Sequence, residues 1–202
     1  MMGMIERDRD PARARLGTES TFLVPLAPEH AAGLRNLELS EELAFRWRHA
    51  GAHPSPEQYS ASLWTDVLCS FLVLDKSHDA APLGLVTAYQ PDHSNGHCRV
   101  AAARFGPAGP SGRHVMRAVA LLLDYLFRGW PFRKIYFEVP EYNLGQFGSG
   151  VGSLFVEEAR LPDYVFLDGR YWSLTFLTVS RERWPTEREH LSRFIFGSES
   201  PS

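Results

Sequence analysis

The stretch from Cys98 to Phe127 constrains the fold of this chain more than any other. Its first residues, CRVAAARF, combine small and apolar side chains, which favours a strand packed on both faces. The glycines and prolines of the following GPAGPSGRH exclude regular structure. Beyond this turn, apolar residues recur at helical spacing from Val115 to Phe127, which predicts a largely buried helix.

The glycine-rich turn delivers the N-terminus of this helix, where several backbone N–H groups have no helical acceptor. Together with the helix dipole, these groups favour a bound anion, typically a phosphate or pyrophosphate. A plain connection between strand and helix is the alternative interpretation.

Composition limits the class of protein. The chain has 202 residues, 44% of them hydrophobic, and a formal net charge of -3. These values suit a single α/β domain, which we place at residues 21–196, with disordered tails at 1–20 and 197–202. The charge balance gives no reason to expect nucleic acid or an acidic membrane as a partner.

The two cysteines, Cys69 and Cys98, lie in apolar, strand-like segments, so we expect buried, reduced thiols in a cytoplasmic protein. The first residues lead into charge rather than an apolar signal segment, and no apolar run approaches the roughly 20 residues of a membrane span. The eight histidines show no ligand-like spacing with cysteine or carboxylate, so we expect no metal.

The remaining patterns predict an order of strands and helices without a repeat. Asn95-Gly96 and Asp168-Gly169 each mark the turn of a hairpin, and the glycines of 142–155 weaken any regular helix there. The predicted strands are 21–25, 69–75, 83–90, 98–105, 134–139 and the two strands of the terminal hairpin. The predicted helices are 28–39, a short one carrying residues 45–48, 56–68 with Tyr59, Leu63 and Val67 on one side, and 115–127.

Three stretches carry a resemblance to a known family. RFGPAGPSGRHVMRAVALLLDYLF resembles its pyrophosphate loop and helix, KIYFEVPEYN its strand ending in a cofactor-facing Asn, and EARLPDYVFLDGRYWSLTFLTVSRERW its terminal hairpin. The family is the GNAT superfamily of acyl-CoA-dependent N-acetyltransferases, in particular its ribosomal-protein and spermidine acetyltransferases. The resemblance implies an α/β (α+β) fold with a mixed, mostly antiparallel central sheet flanked by helices. It also implies a V-shaped splay between the fourth and fifth strands, 98–105 and 134–139.

The sequence departs from the family pattern at two places. Ser111 and Arg113 occupy the positions of the two usual loop glycines, with Gly112 between them, and Gly150 stands where many members have a Tyr that protonates the departing thiolate. These departures leave open a non-catalytic ligand-binding or interaction module, or a scaffold repurposed for other biosynthetic chemistry.

By resemblance, the chain is an enzyme that transfers an acetyl or short acyl group from acetyl-CoA, or another acyl-CoA, to a primary amine by direct attack. The acceptor is a small-molecule or peptide amine. The expected cofactor contacts are the main chain of Ala103, Arg104 and Phe105 toward the pantetheine, Ser111, Gly112, Arg113, His114 and Val115 toward the pyrophosphate, and Asn143. Asn143 is equally explained as a helix N-cap.

An amine must be neutral to attack a thioester, so a base or a water relay is needed near the strand ends. Glu138 is the first candidate because it precedes Pro140 at the mouth of the V, with an exposed strand carboxylate as the alternative. Tyr136 alternates to the same face and is a candidate to orient Glu138, or else packs. His114 is a further candidate base or phosphate donor, against a solvent-facing histidine of the first helical turn.

The acceptor side of the cleft is expected at FRWRHAG, where Phe45 and Trp47 form an aromatic surface beside arginines. Trp47 in the core with the arginines in water is the alternative. Tyr89, at the end of its strand, is a further acceptor contact. The exposed edge of the terminal hairpin permits a homodimer but does not require one.

Overall fold

A computed structural model describes residues 16–18, 20–40, 43–75, 82–106, 111–148, 152 and 154–192. The strands are β1 (Leu16–Gly17), β2 (Thr21–Pro25), β3 (Val67–Asp75), β4 (Gly84–Asp92), β5 (His97–Arg104), β6 (Lys134–Pro140), β7 (Val156–Leu167) and β8 (Arg170–Ser180). The α-helices are α1 (Ala31–Glu38), α2 (Pro56–Ser62), α3 (Ser111–Gly129) and α4 (Trp184–His190), and Pro28–His30 and Glu141–Gln146 form 3₁₀ helices.

The eight strands form one sheet in the order β1-β2-β3-β4-β5-β6-β8-β7. β5 and β6 pair in parallel, whereas β2 pairs antiparallel with β1 and β3, and β8 pairs antiparallel with β6 and β7. This arrangement confirms the predicted mixed, mostly antiparallel sheet flanked by helices.

The parallel pair is short, and this is the predicted splay. β5 and β6 pair from His97 and Lys134 as far as Arg99 and Tyr136. Both strands continue beyond that point, and β6 stays paired with β8 along its whole length to Pro140. The β5-facing edge of β6 is therefore left without its parallel partner beyond Tyr136.

Two compact units divide the chain. The first unit combines Met1–Thr87 with Ala102–Leu122, and the second combines Ala88–Ala101 with Leu123–Ser202. The single domain at 21–196 stays a prediction, and the tail segments 1–15 and 197–202 lie outside the described residues.

Each unit has its own buried apolar side chains. In the first unit, α1 and α2 pack on the strands through a cluster made of Leu26, Leu34, Tyr59, Leu63, Leu72, Leu85, Ala103 and Phe105. In the second unit, the rings of Phe137, Phe147 and Phe155 meet edge to face, with centroids 5.0 to 6.1 Å apart. No described helix is long and apolar enough to cross a bilayer.

Three local predictions were wrong. Residues 43–51 form successive turns rather than a helix. The Arg46 N–H donates to the Leu43 carbonyl and the Ala50 N–H to the Trp47 carbonyl, and Ala50 and Gly51 adopt left-handed φ of 45° and 86°. Val67 opens β3 instead of continuing a helix, because Asp66 takes a left-handed φ of 55°. Leu16 and Gly17, which fell in the predicted tail, form β1.

The short strand β1 depends on a turn. The Thr21 N–H donates to Thr18 Oγ1 at 3.0 Å, and the Thr18 N–H donates to the Thr21 carbonyl at 2.7 Å. These bonds hold Leu16 opposite Leu23, so the chain joins the sheet earlier than composition alone predicts.

Helix α4 follows the terminal hairpin and had no sequence prediction. Trp184 is buried beside Phe127, with ring centroids 6.1 Å apart, and Arg188 Nε lies 2.8 Å from Asp124 Oδ1. A short, charged helix such as this one is stabilised by tertiary packing more than by its own helix propensity. Its local sequence therefore gives little indication that a helix forms there.

Candidate active site

Glu138 lies on a polar row of β6. Strand alternation buries Ile135, Phe137 and Val139 and leaves the positions between them half-buried. Glu138 Oε1 accepts a hydrogen bond from Arg99 Nε at 2.6 Å, and the Arg99 and Glu138 side chains are 32% and 31% exposed. The predicted base is thus an ion-paired carboxylate that still reaches solvent.

Gln90 completes the support of Arg99. Arg99 Nη1 donates to Gln90 Oε1, and the Gln90 backbone adopts a φ of 46°, a region that non-glycine residues rarely occupy. Such backbone strain persists only where surrounding contacts hold it. The hydrogen bond to Arg99 is one such contact.

Tyr89 belongs to the same group of side chains. Burial first, and the negative charge of Glu138 second, raise the pKa of Tyr89 to about 12, while Arg99 acts in the opposite direction. The phenol therefore stays protonated at neutral pH and can donate a hydrogen bond. We call Tyr89, Gln90, Arg99 and Glu138 the Glu138 cluster.

The cluster contains two residues that the sequence selected, Glu138 and Tyr89, and two that it missed. Arg99 was visible as one of two arginines in an otherwise small and apolar segment, CRVAAARF. Its partner could not be inferred, because the register that sets Arg99 opposite Tyr136 is a property of two strands far apart in the chain.

Tyr136 faces different neighbours from those expected. Its ring meets His97 edge to face at 5.5 Å, and its hydroxyl faces the Glu158 carboxylate. The pKa of Glu158 lies below its usual range, mainly because Lys134 donates a hydrogen bond to its carboxylate. Hydrogen bonds from Thr178 and Tyr136 lower it further. The orienting contact of Glu138 therefore comes from Arg99 rather than from Tyr136.

In the first unit, the start of α3 is rich in positive charge. Arg113 is exposed, and a Cβ built on Gly112 would lie 3.6 Å from Arg104 Nη1. Unpaired N–H groups of a first helical turn and two guanidinium groups are suited to an anion. The loop residues 107–110 and the side chain of Ser111 lie outside the described residues.

His114 points into the first unit. Its Nδ1 lies 2.7 Å from Thr21 Oγ1 and its Nε2 lies 3.7 Å from Asp75 Oδ2. Thr21 and Asp75 face each other across β2 and β3, so the histidine joins the start of α3 to this strand pair. Both ring nitrogens therefore have protein neighbours, so the solvent-facing alternative does not match this placement, and the role of His114 as a base or phosphate donor stays a prediction.

The main chain at the end of β5 is only partly available. The Phe105 N–H donates to the Leu83 carbonyl at 2.9 Å, and the Phe105 ring is buried in the apolar cluster. Because successive main-chain groups of a strand point to opposite edges, the N–H of Arg104 faces away from β4. Of the three residues predicted to bind pantetheine, Arg104 has the best-placed main chain. Val115, also predicted to line the cofactor, is buried.

Asn143 lies within the 3₁₀ helix Glu141–Gln146. Its Oδ1 accepts a hydrogen bond from Gln146 Nε2 at 3.1 Å. The residue at the N-cap is Pro140, so Asn143 does not cap this helix. Gly150, at the position of the family's usual Tyr, lies outside the described residues.

The predicted acceptor residues Phe45 and Trp47 occupy different environments. Phe45 is 64% exposed, whereas Trp47 is half-buried against the apolar cluster of the first unit. Beside Trp47, the fully buried side chain of Glu38 lies 3.1 Å from Arg48 Nη2. Burial raises the pKa of Glu38, although Arg48, Trp47 and Tyr59 act in the opposite direction.

The raised pKa of Glu38 predicts a pH effect on stability. A carboxyl group with a higher pKa in the folded state binds a proton more readily when folded, so its stabilisation is present at low pH and is lost as pH rises through the folded pKa. The advantage of the wild type over Glu38→Gln should therefore grow between pH 7 and pH 5, measured by urea denaturation.

Glu57→Gln is the matched control. Its own backbone N–H and the Ser55 hydroxyl lower the pKa of Glu57, so its titration falls below this pH window and its difference from the wild type should stay constant. An unchanging difference for Glu38→Gln as well would contradict the assignment of Glu38.

Comparison with known proteins identifies the fold. No protein-family model matches the sequence, and the curated proteins give no match. Among solved structures, a probable GNAT-family acetyltransferase from Chromobacterium violaceum is 20% identical, with a TM-score of 0.66 over 86% of this chain and 89% of that chain.

Two further structures agree. Spermidine N-acetyltransferase from Vibrio cholerae, solved with CoA and spermine, is 19% identical, with a TM-score of 0.65 over 82% of this chain and 98% of that chain. A GCN5-related N-acetyltransferase from Brucella melitensis is 18% identical, with a TM-score of 0.69 over 95% and 90% of the two chains. The chain has the fold of the GNAT acetyltransferases.

Proposed function

We propose that this protein is an acyl-CoA-dependent N-acyltransferase that joins the acetyl group of acetyl-CoA to a primary amine. The observation that carries the proposal is Glu138, a half-exposed carboxylate held by Arg99 just beyond the last parallel pair of β5 and β6. The GNAT fold of the chain supports it, as does the neighbour solved with CoA and spermine, which suggests a small-molecule amine as acceptor.

The reaction needs one proton removed and one supplied. The acceptor nitrogen, once neutral, attacks the thioester carbonyl carbon, and the C–S bond breaks as the amide forms. Glu138, directly or through a water molecule, takes the proton from the nitrogen. The sulfur leaves as a thiolate and is protonated to the thiol, and no covalent enzyme intermediate is formed.

The residues of the first unit are assigned to the co-substrate. Gly112 and Arg113 offer main-chain N–H groups to the pyrophosphate, Arg104 and Arg113 offer positive charge, and the Arg104 main chain offers a partner for pantetheine. His114 is assigned to hold the first turn of α3 through Thr21 and Asp75.

Two further parts of the proposal concern the cellular location and the oligomeric state of the protein. Both cysteines are thiols, Cys98 buried and Cys69 half-buried, which supports the cytoplasm as the location. The homodimer stays a prediction, and its support is the exposed aromatic surface of the terminal hairpin formed by Tyr164, Phe166 and Tyr171.

The first experiment is calorimetric titration with acetyl-CoA, followed by assay of thiol release with a panel of amines. Micromolar binding and amine-dependent release of free thiol are expected. Binding without release for every amine would overturn the proposed transfer, and the absence of any binding would overturn the whole assignment.

Gly112→Glu should weaken the binding of CoA by well over tenfold, which corresponds to about 1.4 kcal/mol or more. The new carboxylate would repel the pyrophosphate and, standing close to Arg104 Nη1, would also pair with that guanidinium. Gly112→Ala is the control, because a Cβ there meets its neighbour at an ordinary 3.6 Å. Equal CoA affinity in a folded Glu variant would exclude this turn as the pyrophosphate site.

A further inference from the structure

The polar face of β5 and β6 in the second unit contains paired charges. Glu138 is bound by Arg99, Glu158 by Lys134, and Asp92 Oδ2 lies 3.6 Å from His97 Nε2. The residues share one face, because His97 lies opposite Lys134 and Arg99 opposite Tyr136 in the parallel register. We call this set, together with Tyr136, the paired-charge face.

This pairing bears on which amines the face can attract. A polyamine carries several positive charges and is favoured by carboxylates that have no cation beside them. On the paired-charge face, each of the three carboxylates in the described residues already has a basic side chain within 4.0 Å. Arg99 and Lys134 offset two of the three carboxylates, and His97 offsets the third only when it is protonated, so the attraction for a polycation is reduced.

The atoms of Arg99 and Glu138 that make no hydrogen bond within the Glu138 cluster indicate a more specific kind of acceptor. Arg99 uses Nε for Glu138 and Nη1 for Gln90, and Glu138 uses Oε1. Among described residues, no side chain or main-chain group bonds Arg99 Nη2 or Glu138 Oε2. The Nη2 nitrogen of the guanidinium therefore stands beside one remaining carboxylate oxygen, at a position open to solvent.

A molecule that carries both an ammonium and an acidic group can bind both atoms at once. Its acidic group would accept from Arg99 Nη2, the geometry that guanidinium favours for carboxylates and phosphates. Its ammonium group would donate to Glu138 Oε2, the group to which the acceptor proton passes. The Gln90 side chain accepts from Arg99 Nη1 and so helps to orient the guanidinium.

We propose that the acceptor is an amine bearing an acidic group a few bonds from its nitrogen, and that Arg99 is the residue that selects it. This inference rests on the proposed acyltransferase function. It assigns Arg99 two roles, binding the acidic group of the acceptor and positioning Glu138.

The test compares amines that differ only in the acidic group, with thiol release as the readout. L-phenylalanine is paired with phenethylamine for the carboxylate, and O-phosphoethanolamine with ethanolamine for the phosphate. For at least one pair, kcat/KM should be more than tenfold higher for the acid-bearing amine, and the pair that shows the preference identifies the acidic group. Equal or higher kcat/KM for the acid-free amines would overturn this inference while leaving the acyltransferase function intact.

Variants of Arg99 locate the preference. Arg99→Met should lower kcat for both amines, because it releases Glu138, and should in addition raise the KM of the acid-bearing amine more than tenfold relative to that of its acid-free partner. Arg99→Lys should keep part of the preference. Lys134→Met is the matched control, a cation of the same face that pairs with Glu158, and should keep the preference in full. A preference that survives Arg99→Met in a folded protein would exclude Arg99. Thiol release with no amine at all, in the presence of acetyl-CoA binding, would instead reject the proposed function on which the inference rests.

Discussion

Gly84→Ala should lower the free energy of unfolding by about 3 kcal/mol. A Cβ built on Gly84 would lie 2.4 Å from the Ala103 carbonyl oxygen and 2.8 Å from Val115 Cγ2. The first contact is with main chain in the sheet, which cannot move aside without disturbing the bond from Phe105 to Leu83. The second is with a buried side chain at the start of α3. The glycine is therefore required by close packing rather than by its backbone angles.

The same substitution should also weaken the binding of the co-substrate. Ala103 lies near the end of β5, to which we assign pantetheine, and Val115 lies near the start of α3, to which we assign the pyrophosphate. An Ala methyl at position 84 would displace one of them, so CoA affinity should fall together with stability. Urea denaturation and calorimetric titration on the same preparation measure both.

Gly33→Ala provides the matched control. Gly33 lies inside α1, and a Cβ built on it would have nothing within 4 Å, so alanine there should raise stability by up to about 1 kcal/mol through helix propensity. If Gly84→Ala were as stable as the wild type and bound CoA equally well, the strand and helix would have to be less tightly packed than the structure shows.

Elements with strong local patterns were predictable from the sequence. The apolar period indicated α3, and Asp168-Gly169 indicated the terminal hairpin, because both residues adopt the positive φ, 53° and 79°, that a tight two-residue turn requires. The splay of β5 and β6 followed from the resemblance rather than from any local pattern.

The parts that were missed depend on contacts between distant segments. Arg99 reaches Glu138 across 39 residues of chain, and His114 reaches Thr21 across 93. A sequence pattern shows that these side chains are polar but not which partners they meet. The prediction of a helix at 45–48 was wrong for a different reason: the segment forms turns closed by i→i+3 bonds, such as that from the Arg46 N–H to the Leu43 carbonyl, and its local composition does not distinguish these turns from a helix.

Glu138→Gln should lower kcat by about 100-fold or more, the usual range for loss of a general base, with CoA affinity unchanged. The amide keeps the size of the carboxylate and can still accept the Arg99 N–H, so the loss reports proton transfer rather than collapse of the cluster. Steady-state thiol release gives kcat, and calorimetry gives the affinity for CoA.

The control for this prediction is Glu158→Gln on the paired-charge face. Glu158 binds Lys134 and Thr178, so its replacement removes a carboxylate from the same sheet without touching Arg99, and turnover should remain within about twofold of the wild type because no proton transfer is assigned to it. Equal turnover in wild type and Glu138→Gln would remove Glu138 from the mechanism. The proton would then have to leave through water. The Tyr89 hydroxyl is one polar group of the cluster that can hydrogen-bond such a water, and Tyr89→Phe would test that route.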